Sequence, residues 1–210
     1  MTRAEAIPHW RPPEAEPAQN GSSSEAKRFS SPALEGRHVA LRPITPEEYA
    51  WLQRAELSEE LSMRWRFRGA TPSPEQWAEA VWAGALAQFL VVERQSEEPA
   101  GVVAVYRPNF QQGHAALGAA RFASARSPVM ILGIALFLRY VFACWNFRKL
   151  YMELPEYNYS QFASGLGRIF EIEGLLREHN YFDGQLWDEV ILAIYREAWA
   201  KHGRLLMAAA

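Results

Sequence analysis

The sequence predicts an α+β fold: a mixed, mostly antiparallel sheet with a central buried helix after the fourth strand. Three short apolar segments, 88–94, 100–108 and 114–124, are separated by turn-forming residues and have the pattern of an antiparallel meander. A long apolar stretch, 123–145, follows them and precedes a further strand-like segment, 148–156. A helix that connects two neighbouring strands makes those strands parallel. The sheet is therefore expected to be antiparallel at first and locally parallel around the long helix.

One strand and two helices are predicted before the meander. Residues 37–43 alternate between apolar and polar side chains and end in a proline, which predicts a strand. The stretch 45–56 begins with Thr45, then proline and two glutamates, and 73–87 begins with Ser73, then proline, glutamate and glutamine. A hydroxyl residue before a proline and acidic residues is a typical helix start, because the hydroxyl accepts from first-turn amides. Both stretches are therefore predicted to be helices.

The apolar stretch 123–145 can be interpreted as a membrane span or as a core helix. Ser127 can cap the first turn, and Pro128 suits the first helical position. A membrane span needs about 20 predominantly apolar residues, whereas this stretch is slightly short and carries Arg139. It also lies in the middle of a strand-rich pattern. A helix buried against the sheet is favoured over a membrane anchor at 129–145.

The C-terminal third continues the mixture of helix and strand. A helix is predicted at 158–168 and strands at 169–184 and 187–199. The whole order is then strand, two helices, three strands, helix, strand, helix and two strands. No internal repeat is visible.

The chain is expected to consist of one domain and two tails. Residues 1–33 are rich in Pro, Ser, Glu and Ala, and such a composition buries too little apolar surface to offset the entropy of ordering. They are predicted to form a disordered tail, and they lack the apolar region of a secretory signal. The predicted domain is 34–203, followed by a short tail at 204–210. A chain of 210 residues with 49% hydrophobic content can bury one core.

The composition argues against several classes of function. The formal net charge is −2 with both signs interspersed, so no basic surface for nucleic acid is expected. Cys144 is the single cysteine, which leaves no disulfide framework and indicates a reducing, cytoplasmic compartment. The five histidines are scattered and have no cysteine partners, so no metal site is expected.

Three segments, 34–49, 140–158 and 170–199, carry a resemblance to a known family. The last is the most specific, with the pattern EG-x-LRE-x-x-Y-x-x-G-x-x-x-D, then an apolar strand and R-E-x-W. Over residues 34–199 the chain resembles the GNAT superfamily of acyl-CoA-dependent N-acyltransferases. Within that superfamily it is most similar to the subgroup that acetylates ribosomal-protein N-termini and small amines.

The resemblance implies a V-shaped split between the fourth and fifth strands that holds acetyl-CoA or another acyl-CoA. The pantetheine would pair with backbone there, and the pyrophosphate would lie at the N-terminus of the following helix, where unsatisfied amides and the helix dipole attract anions. The co-substrate would contact residues in the end of strand four, the start of the helix and the segment after strand five. These residues are Phe122, Ala123, Arg126, Ser127, Val129, Met130 and Asn158.

The resemblance also implies roles in the reaction, the attack of a neutral amine on the thioester. The amides at Phe122 and Ala123 would polarise the carbonyl, and Glu153 or Glu156 would act as base through water. Ser160 and Ser164 are candidates to protonate the thiolate. Ordinary solvated carboxylates and helix-surface serines remain the alternatives, and Asp188 is expected to hold the final hairpin.

The acceptor pocket of the family corresponds to the cluster 63–69. Its candidate residues are Arg64, Trp65, Arg66 and Phe67, which could contact an anionic or aromatic acceptor. The alternative is an amphipathic surface segment that covers the core. The acceptor itself is expected to be a small-molecule amine or a protein N-terminus, without nucleic acid or membrane as partner.

The chain departs from the family at two places. The two glycines of the phosphate loop are absent, with Pro128 and Met130 at their positions, and Gly133 lies too far inside the helix to replace them. Gly165 stands where many relatives have a tyrosine that protonates the thiolate. Two hypotheses follow: an N-acyltransferase with a modified phosphate loop, or a non-catalytic protein of the same fold that binds a ligand or partner.

Overall fold

The computed structural model describes residues 34–58, 61–125, 127–159 and 167–209 and contains a seven-stranded mixed sheet. The strands are β1 (Val39–Pro43), β2 (Ala85–Glu93), β3 (Pro99–Asn109), β4 (His114–Arg121), β5 (Lys149–Pro155), β6 (Glu171–Phe182) and β7 (Gln185–Tyr195). Their order is β1-β2-β3-β4-β5-β7-β6, and β4 and β5 are parallel whereas the other neighbours are antiparallel. The predicted α+β class, with parallel strands around the long helix, is confirmed.

Five α-helices accompany the sheet in the part of the chain just given. They are α1 (Tyr49–Glu56), which follows a 3-10 turn, α2 (Pro74–Trp82), α3 (Ser127–Cys144), α4 (Glu156–Tyr159) and α5 (Arg196–Ala209). Ser73 caps α2 as predicted, because its hydroxyl accepts from the amide of Gln76 at 3.3 Å. This helix ends at Trp82 rather than at residue 87, since Gly84 takes a positive φ of 68° and turns the chain into β2.

Helix α3 forms the core on one face of the sheet. By length and hydropathy it could cross a membrane, but half of it is buried and its side chains pack against β1 to β4 and α5. Gly133 permits the close approach, because a Cβ there would lie 2.3 Å from Cγ1 of the fully buried Val91. The interpretation of this stretch as a core helix is confirmed. Helices α1 and α2 cover a second core on the other face, which includes Leu52, Trp77 and Phe122.

Helix α5 differs from the prediction of a strand to residue 199 and a tail at 204–210. β7 ends at Tyr195, and the guanidinium of Arg196 donates to the carbonyls of Phe142 at 2.6 Å and Phe147 at 2.7 Å. These contacts tie the start of α5 to the end of α3. Trp199 is then buried over its own helix, where a Cβ at Gly203 would lie 2.7 Å from the indole. The predicted N-terminal tail lies outside the described residues.

Candidate active site

The candidate site is a gap between β4 and β5. The two strands pair only over His114–Ala116 and Lys149–Tyr151, although β4 continues to Arg121 and β5 to Pro155. Beyond the paired residues the strands diverge and leave a wedge-shaped opening in the sheet. This opening lies where the family resemblance implied a split between the fourth and fifth strands.

Backbone groups of β4 face this gap in a fixed alternation. The carbonyl of Gly113 accepts from the amide of Arg148 at 2.7 Å and so points toward β5, whereas the amide of Phe122 donates to Ala100 on β3 at 2.9 Å. Successive residues of a strand point their amides and carbonyls to opposite sides. Every second residue after Gly113 therefore presents its backbone to the gap. On the unpaired part of β4 these are Leu117, Ala119 and Arg121.

This alternation corrects the expectation for the end of β4. The amide of Phe122 belongs to the β3–β4 ladder and is not free to polarise a substrate carbonyl, and its ring is buried edge-on against Trp51 at 5.3 Å. Ala123 lies exposed in the turn that follows. The backbone groups of β4 that face the gap belong instead to Leu117, Ala119 and Arg121, which lie before Phe122 in the strand.

Trp65 covers β4 beside the gap. A Cβ at Gly118 would lie 2.9 Å from Cη2 of Trp65 and 3.2 Å from the ring of Tyr106, so only glycine leaves room for the indole. The indole N–H donates to Glu56 Oε1 at 2.9 Å, which fixes the ring in place. Trp65, a predicted acceptor residue, therefore lies against one wall of the gap.

Arg64 lies against the opposite wall. Its guanidinium is 5.7 Å from the ring centroid of Tyr157 and 5.6 Å from that of Phe182. Tyr157 follows the last residue of β5 by two positions, at the open end of the gap. Arg64 and Trp65 are adjacent in sequence, and together they span the opening on the face that carries α1 and α2.

Arg66 and Phe67, the other two predicted acceptor residues, belong to the core beneath. Arg66 donates to the carbonyl of Val81 at 2.8 Å and to Gln88 at 2.5 Å, and Phe67 packs against the second core. These contacts agree with the alternative given for this cluster, a surface segment that covers the core. Only Arg64 and Trp65 of the four reach the mouth of the gap.

Glu56 is a buried acid that sequence reasoning missed. It is 1% exposed, and its two oxygens accept from the indole N–H of Trp65 at 2.9 Å and of Trp77 at 3.0 Å. Arg66 approaches it at 3.4 Å. Nothing in the helix that ends with Glu56 distinguishes it from a solvated acid, because its partners come from outside that helix.

Glu153, one of the two predicted bases, is held by an arginine across β4. Its Oε2 accepts from Arg107 Nη2 at 2.6 Å, and this hydrogen bond raises the pKa of Arg107. Tyr106 interacts with both side chains, and burial raises the pKa of its hydroxyl. Sequence reasoning missed Tyr106 and Arg107, because both look like ordinary strand residues before β4 is placed between them and β5.

The remaining predicted residues after β5 are only partly described. Glu156 is the exposed first residue of α4, and Asn158 is half-buried in the same helix. Ser160 and Ser164 lie outside the described residues, as does Gly165 at the position of the family tyrosine. Their predicted roles stay predictions.

The start of α3 differs from the expectation for a phosphate loop. Val129 and Met130 are 6% and 4% exposed, and the sulfur of Met130 lies 2.8 Å from where a Cβ would stand on Gly101. Met130 therefore points into the sheet and not toward a phosphate. Ser127 and Pro128 are exposed at the end of the helix, and Arg126 lies outside the described residues.

Charges of both signs flank this loop. Arg121 folds over it and donates to the carbonyl of Ala125 at 2.7 Å, a cation that sequence reasoning missed. On the other side a shallow cavity of about 200 Å³ is lined by Glu93, Glu98 and Ser124, among others. The cation described beside this loop is therefore Arg121.

A bulge in β6 completes the wall beyond β5. Glu178 takes a positive φ of 49°, and its amide donates to Asp188 Oδ1 at 2.8 Å, so Asp188 holds the final hairpin as expected. The bulge brings the buried Asn180 under Arg68, whose Nη1 donates to the amide oxygen at 2.7 Å. The Asn180 Nδ2 donates to the buried Glu189 at 2.9 Å.

The chain is similar in structure to several solved acetyltransferases. Spermidine N-acetyltransferase from Vibrio cholerae, in complex with CoA and spermine, matches at TM-score 0.66 and 17% identity over 78% of this chain and 98% of that one. A GCN5-related N-acetyltransferase from Brucella melitensis matches at TM-score 0.64 and 22% identity over 85% of each chain. A GNAT-family protein from Chromobacterium violaceum matches at TM-score 0.61 and 17% identity over 88% of this chain and 100% of that one.

No protein-family model matches the sequence, and no curated protein matches it. Identities of this size relate the chains through their fold. The seven-stranded mixed sheet with its parallel β4–β5 pair is consistent with the α+β fold of those structures. The chain therefore has the fold of the GNAT acetyltransferases.

Proposed function

We propose that the protein is an N-acyltransferase that moves an acetyl or other acyl group from acyl-CoA to a primary amine. The observation that carries the proposal is the gap between β4 and β5, into which Leu117, Ala119 and Arg121 direct their backbone groups. An extended ligand with amides can pair with such an exposed strand edge, as an added strand does. The pantetheine arm of acyl-CoA is a ligand of this kind.

The phosphates of the co-substrate would lie at the start of α3. The helix dipole favours an anion there, and Arg121 adds a positive charge beside the loop. Pro128 offers no amide, which weakens the site relative to a glycine loop. The buried position of Met130 removes the steric objection to a phosphate, because its side chain does not project from the helix end.

The reaction would be a direct attack of the neutral amine on the thioester carbon. A gap-facing amide of Leu117 or Ala119 would stabilise the oxyanion, and the amine nitrogen would lose its proton through water held near Glu153. Tyr106 would donate the proton to the CoA thiolate, since its side chain lies beside the Arg107–Glu153 pair; burial raises the pKa of its hydroxyl and so keeps the phenol protonated until the thiolate forms. In this assignment Tyr106 takes the role of the family tyrosine, whose position is occupied by Gly165 in this chain.

The acceptor class that we propose is a small-molecule amine or a protein N-terminus. The spermidine N-acetyltransferase of the same fold binds a polyamine, whereas the sequence segments 34–49 and 170–199 resemble the ribosomal-protein subgroup. The alternative is a non-catalytic protein that binds a ligand or partner. The missing phosphate glycines favour this alternative.

Titration calorimetry of the full chain with acetyl-CoA and CoA tests the proposal. Ala119→Pro removes one gap-facing amide and leaves the β3–β4 ladder intact, because that amide does not donate to β3. We expect acetyl-CoA to bind the wild type and to bind Ala119→Pro about tenfold more weakly. Ala119→Ser keeps the amide at nearly the same volume and should bind as the wild type does.

Two results would contradict the proposal. Absence of acetyl-CoA binding by the wild type at millimolar concentration would favour the non-catalytic alternative. Equal binding by Ala119→Pro and Ala119→Ser would mean that CoA, if bound, does not pair with β4.

A further inference from the structure

The charges around the mouth of the gap are almost completely paired. Three arginines on the α1–α2 face each approach one carboxylate. The pairs are Arg66 with Glu56 at 3.4 Å, Arg68 with Glu189 at 3.8 Å and Arg107 with Glu153 at 2.6 Å. These three acids, of which Glu56 and Glu189 are buried, are therefore already compensated by the protein itself.

Arg64 is the exception at this mouth. Within residues 34–58, 61–125, 127–159 and 167–209 it forms no ion pair, and its contacts are with the rings of Tyr157 and Phe182. A guanidinium that lies over aromatic faces keeps the N–H groups of its own plane free to donate. Those groups match the two oxygens of a carboxylate. Arg64 is exposed, so a ligand can reach them.

The position of Arg64 connects this charge with the acceptor. Trp65 lies on Gly118 of β4 and Arg64 on Tyr157 after β5, so the two residues bridge the opening of the gap. An amine that enters from this face to reach the thioester must pass beside them. Its remaining atoms are then within reach of the guanidinium.

We infer that the acceptor is an amine that also carries a carboxylate, which Arg64 binds through paired hydrogen bonds while Tyr157 and Phe182 hold the guanidinium. This inference rests on the proposed acyltransferase function. It separates this chain from an acceptor class of polycations, because Arg64, which has no ion-pair partner among the described residues, places a positive charge at the mouth that repels a polyamine. The carboxylate can belong to a free amino acid or to an acidic side chain near a peptide N-terminus.

The test offers the full-length protein acetyl-CoA and acceptors in matched pairs, each as the acid and as the amide. The pairs are the common amino acids with their carboxamides, and dipeptides with an amidated C-terminus that have Asp or Asn as second residue; spermidine is added as a polycation. The readouts are CoA release and, with CoA present, the shift in unfolding temperature caused by each acceptor. A preference for the acid in the first set would indicate a free amino acid as acceptor, and a preference in the second set would indicate a peptide N-terminus.

We expect the acid of at least one pair to be preferred about 10- to 100-fold in kcat/KM, as one charge-assisted hydrogen-bonded pair provides. Arg64→Gln should remove the preference, and Arg64→Lys should keep part of it, because the charge stays and the paired geometry is lost. Arg54→Gln is the matched control, since Arg54 is an exposed arginine on α1. It should keep the full preference.

Equal use of acids and amides, a preference for spermidine, or an unchanged preference in Arg64→Gln would overturn the inference. Failure of the proposed function gives a different result: no acetyl-CoA binding and no CoA release with any acceptor. In that case the thermal shift still decides. If only the acids raise the unfolding temperature and this effect is lost in Arg64→Gln, carboxylate binding at Arg64 is supported. If the acids do not raise it, carboxylate binding at Arg64 is excluded.

Discussion

Met130 fills a space that the backbone of β3 leaves open at Gly101. Its sulfur lies where a side chain at position 101 would stand, and the residue is 4% exposed. The sequence places Met130 at a phosphate-loop position, but its contacts are those of a core residue. Replacing it by glycine to restore the family loop would remove core packing as well.

Met130→Ala should lower the free energy of unfolding by about 2–4 kcal/mol, because it leaves a cavity in a close-packed core. Acetyl-CoA affinity should stay within about twofold of the wild type, since the side chain does not reach the helix end. Ile131→Ala is the control on the same helix, because Ile131 is 50% exposed, and should change stability by less than about 0.5 kcal/mol. Urea unfolding and calorimetry measure both quantities, and a stable variant with altered CoA binding would return Met130 to the phosphate site.

Tyr106 carries a separate prediction for the reaction. Tyr106→Phe should lower kcat by about 100-fold, the usual range for loss of a positioned general acid. The affinity for acetyl-CoA should not change, because the ring and its contact with Gly118 remain. Steady-state kinetics and calorimetry check the two parts. A wild-type kcat in the variant would assign the proton transfer to another group.

At the scale of elements, a polar cluster ties β5, β7 and β6 together at the closed end of the gap. Lys149 is 6% exposed and donates to Glu173 at 2.8 and 2.6 Å, and Glu173 also accepts from the hydroxyls of Tyr151 and Tyr195. Lys149 is also the backbone strand partner of His114, in the part of the sheet where β4 and β5 are still paired. The cluster therefore fixes the direction in which β5 leaves β4.

Both ionised groups of this cluster are favoured in the folded state. Burial alone would raise the pKa of Glu173, but hydrogen bonds from Lys149, Tyr195 and Tyr151 outweigh it and lower the pKa below 4.5. Burial alone would lower the pKa of Lys149, but its hydrogen bonds to Glu173 and Tyr151 raise it above 10.5. The stabilisation is thus complete between about pH 4.5 and 10.5 and is lost as the pH falls or rises beyond these values.

Glu173→Gln should be less stable than the wild type at pH 7, and the difference should shrink as the pH falls below 4.5. The reason is that protonation removes the same charge from the wild type. Glu171→Gln, an exposed position on the same strand, should show no such convergence. Unfolding curves from pH 7 to pH 3 measure this, and a difference that stays constant would exclude a stabilising ionised Glu173.

At the scale of the whole molecule, the sheet and its core helix were predictable because local patterns determine them. The meander, the capped helix α2 and the apolar α3 follow from spacing, turn residues and hydroxyl–proline starts. Helix α5 did not follow, because no glycine, proline or capping hydroxyl separates β7 from residues 196–199. What ends β7 is the contact of Arg196 with carbonyls in the last turn of α3 and just after it, which is a tertiary interaction.

The site was predictable in position and only partly in detail. The family resemblance located the gap and assigned Arg64 and Trp65 to its acceptor pocket. The direction of the Phe122 amide depends on the register of β3 and β4, and the burial of Glu56 depends on two tryptophans from other segments. Neither the direction of the Phe122 amide nor the burial of Glu56 can be inferred from the neighbouring residues in the sequence.

The contact between Gly133 and Val91 restricts how this protein can change over evolutionary time. A single step from glycine to alanine at 133 places a methyl group 2.3 Å from a rigid valine, and α3 would have to leave the sheet to accept it. The reverse order is open, because a smaller residue at 91 first creates the room. Lineages can therefore reach alanine at 133 only after position 91 has shrunk, which makes the order of substitutions, and not only their identity, a property of this fold.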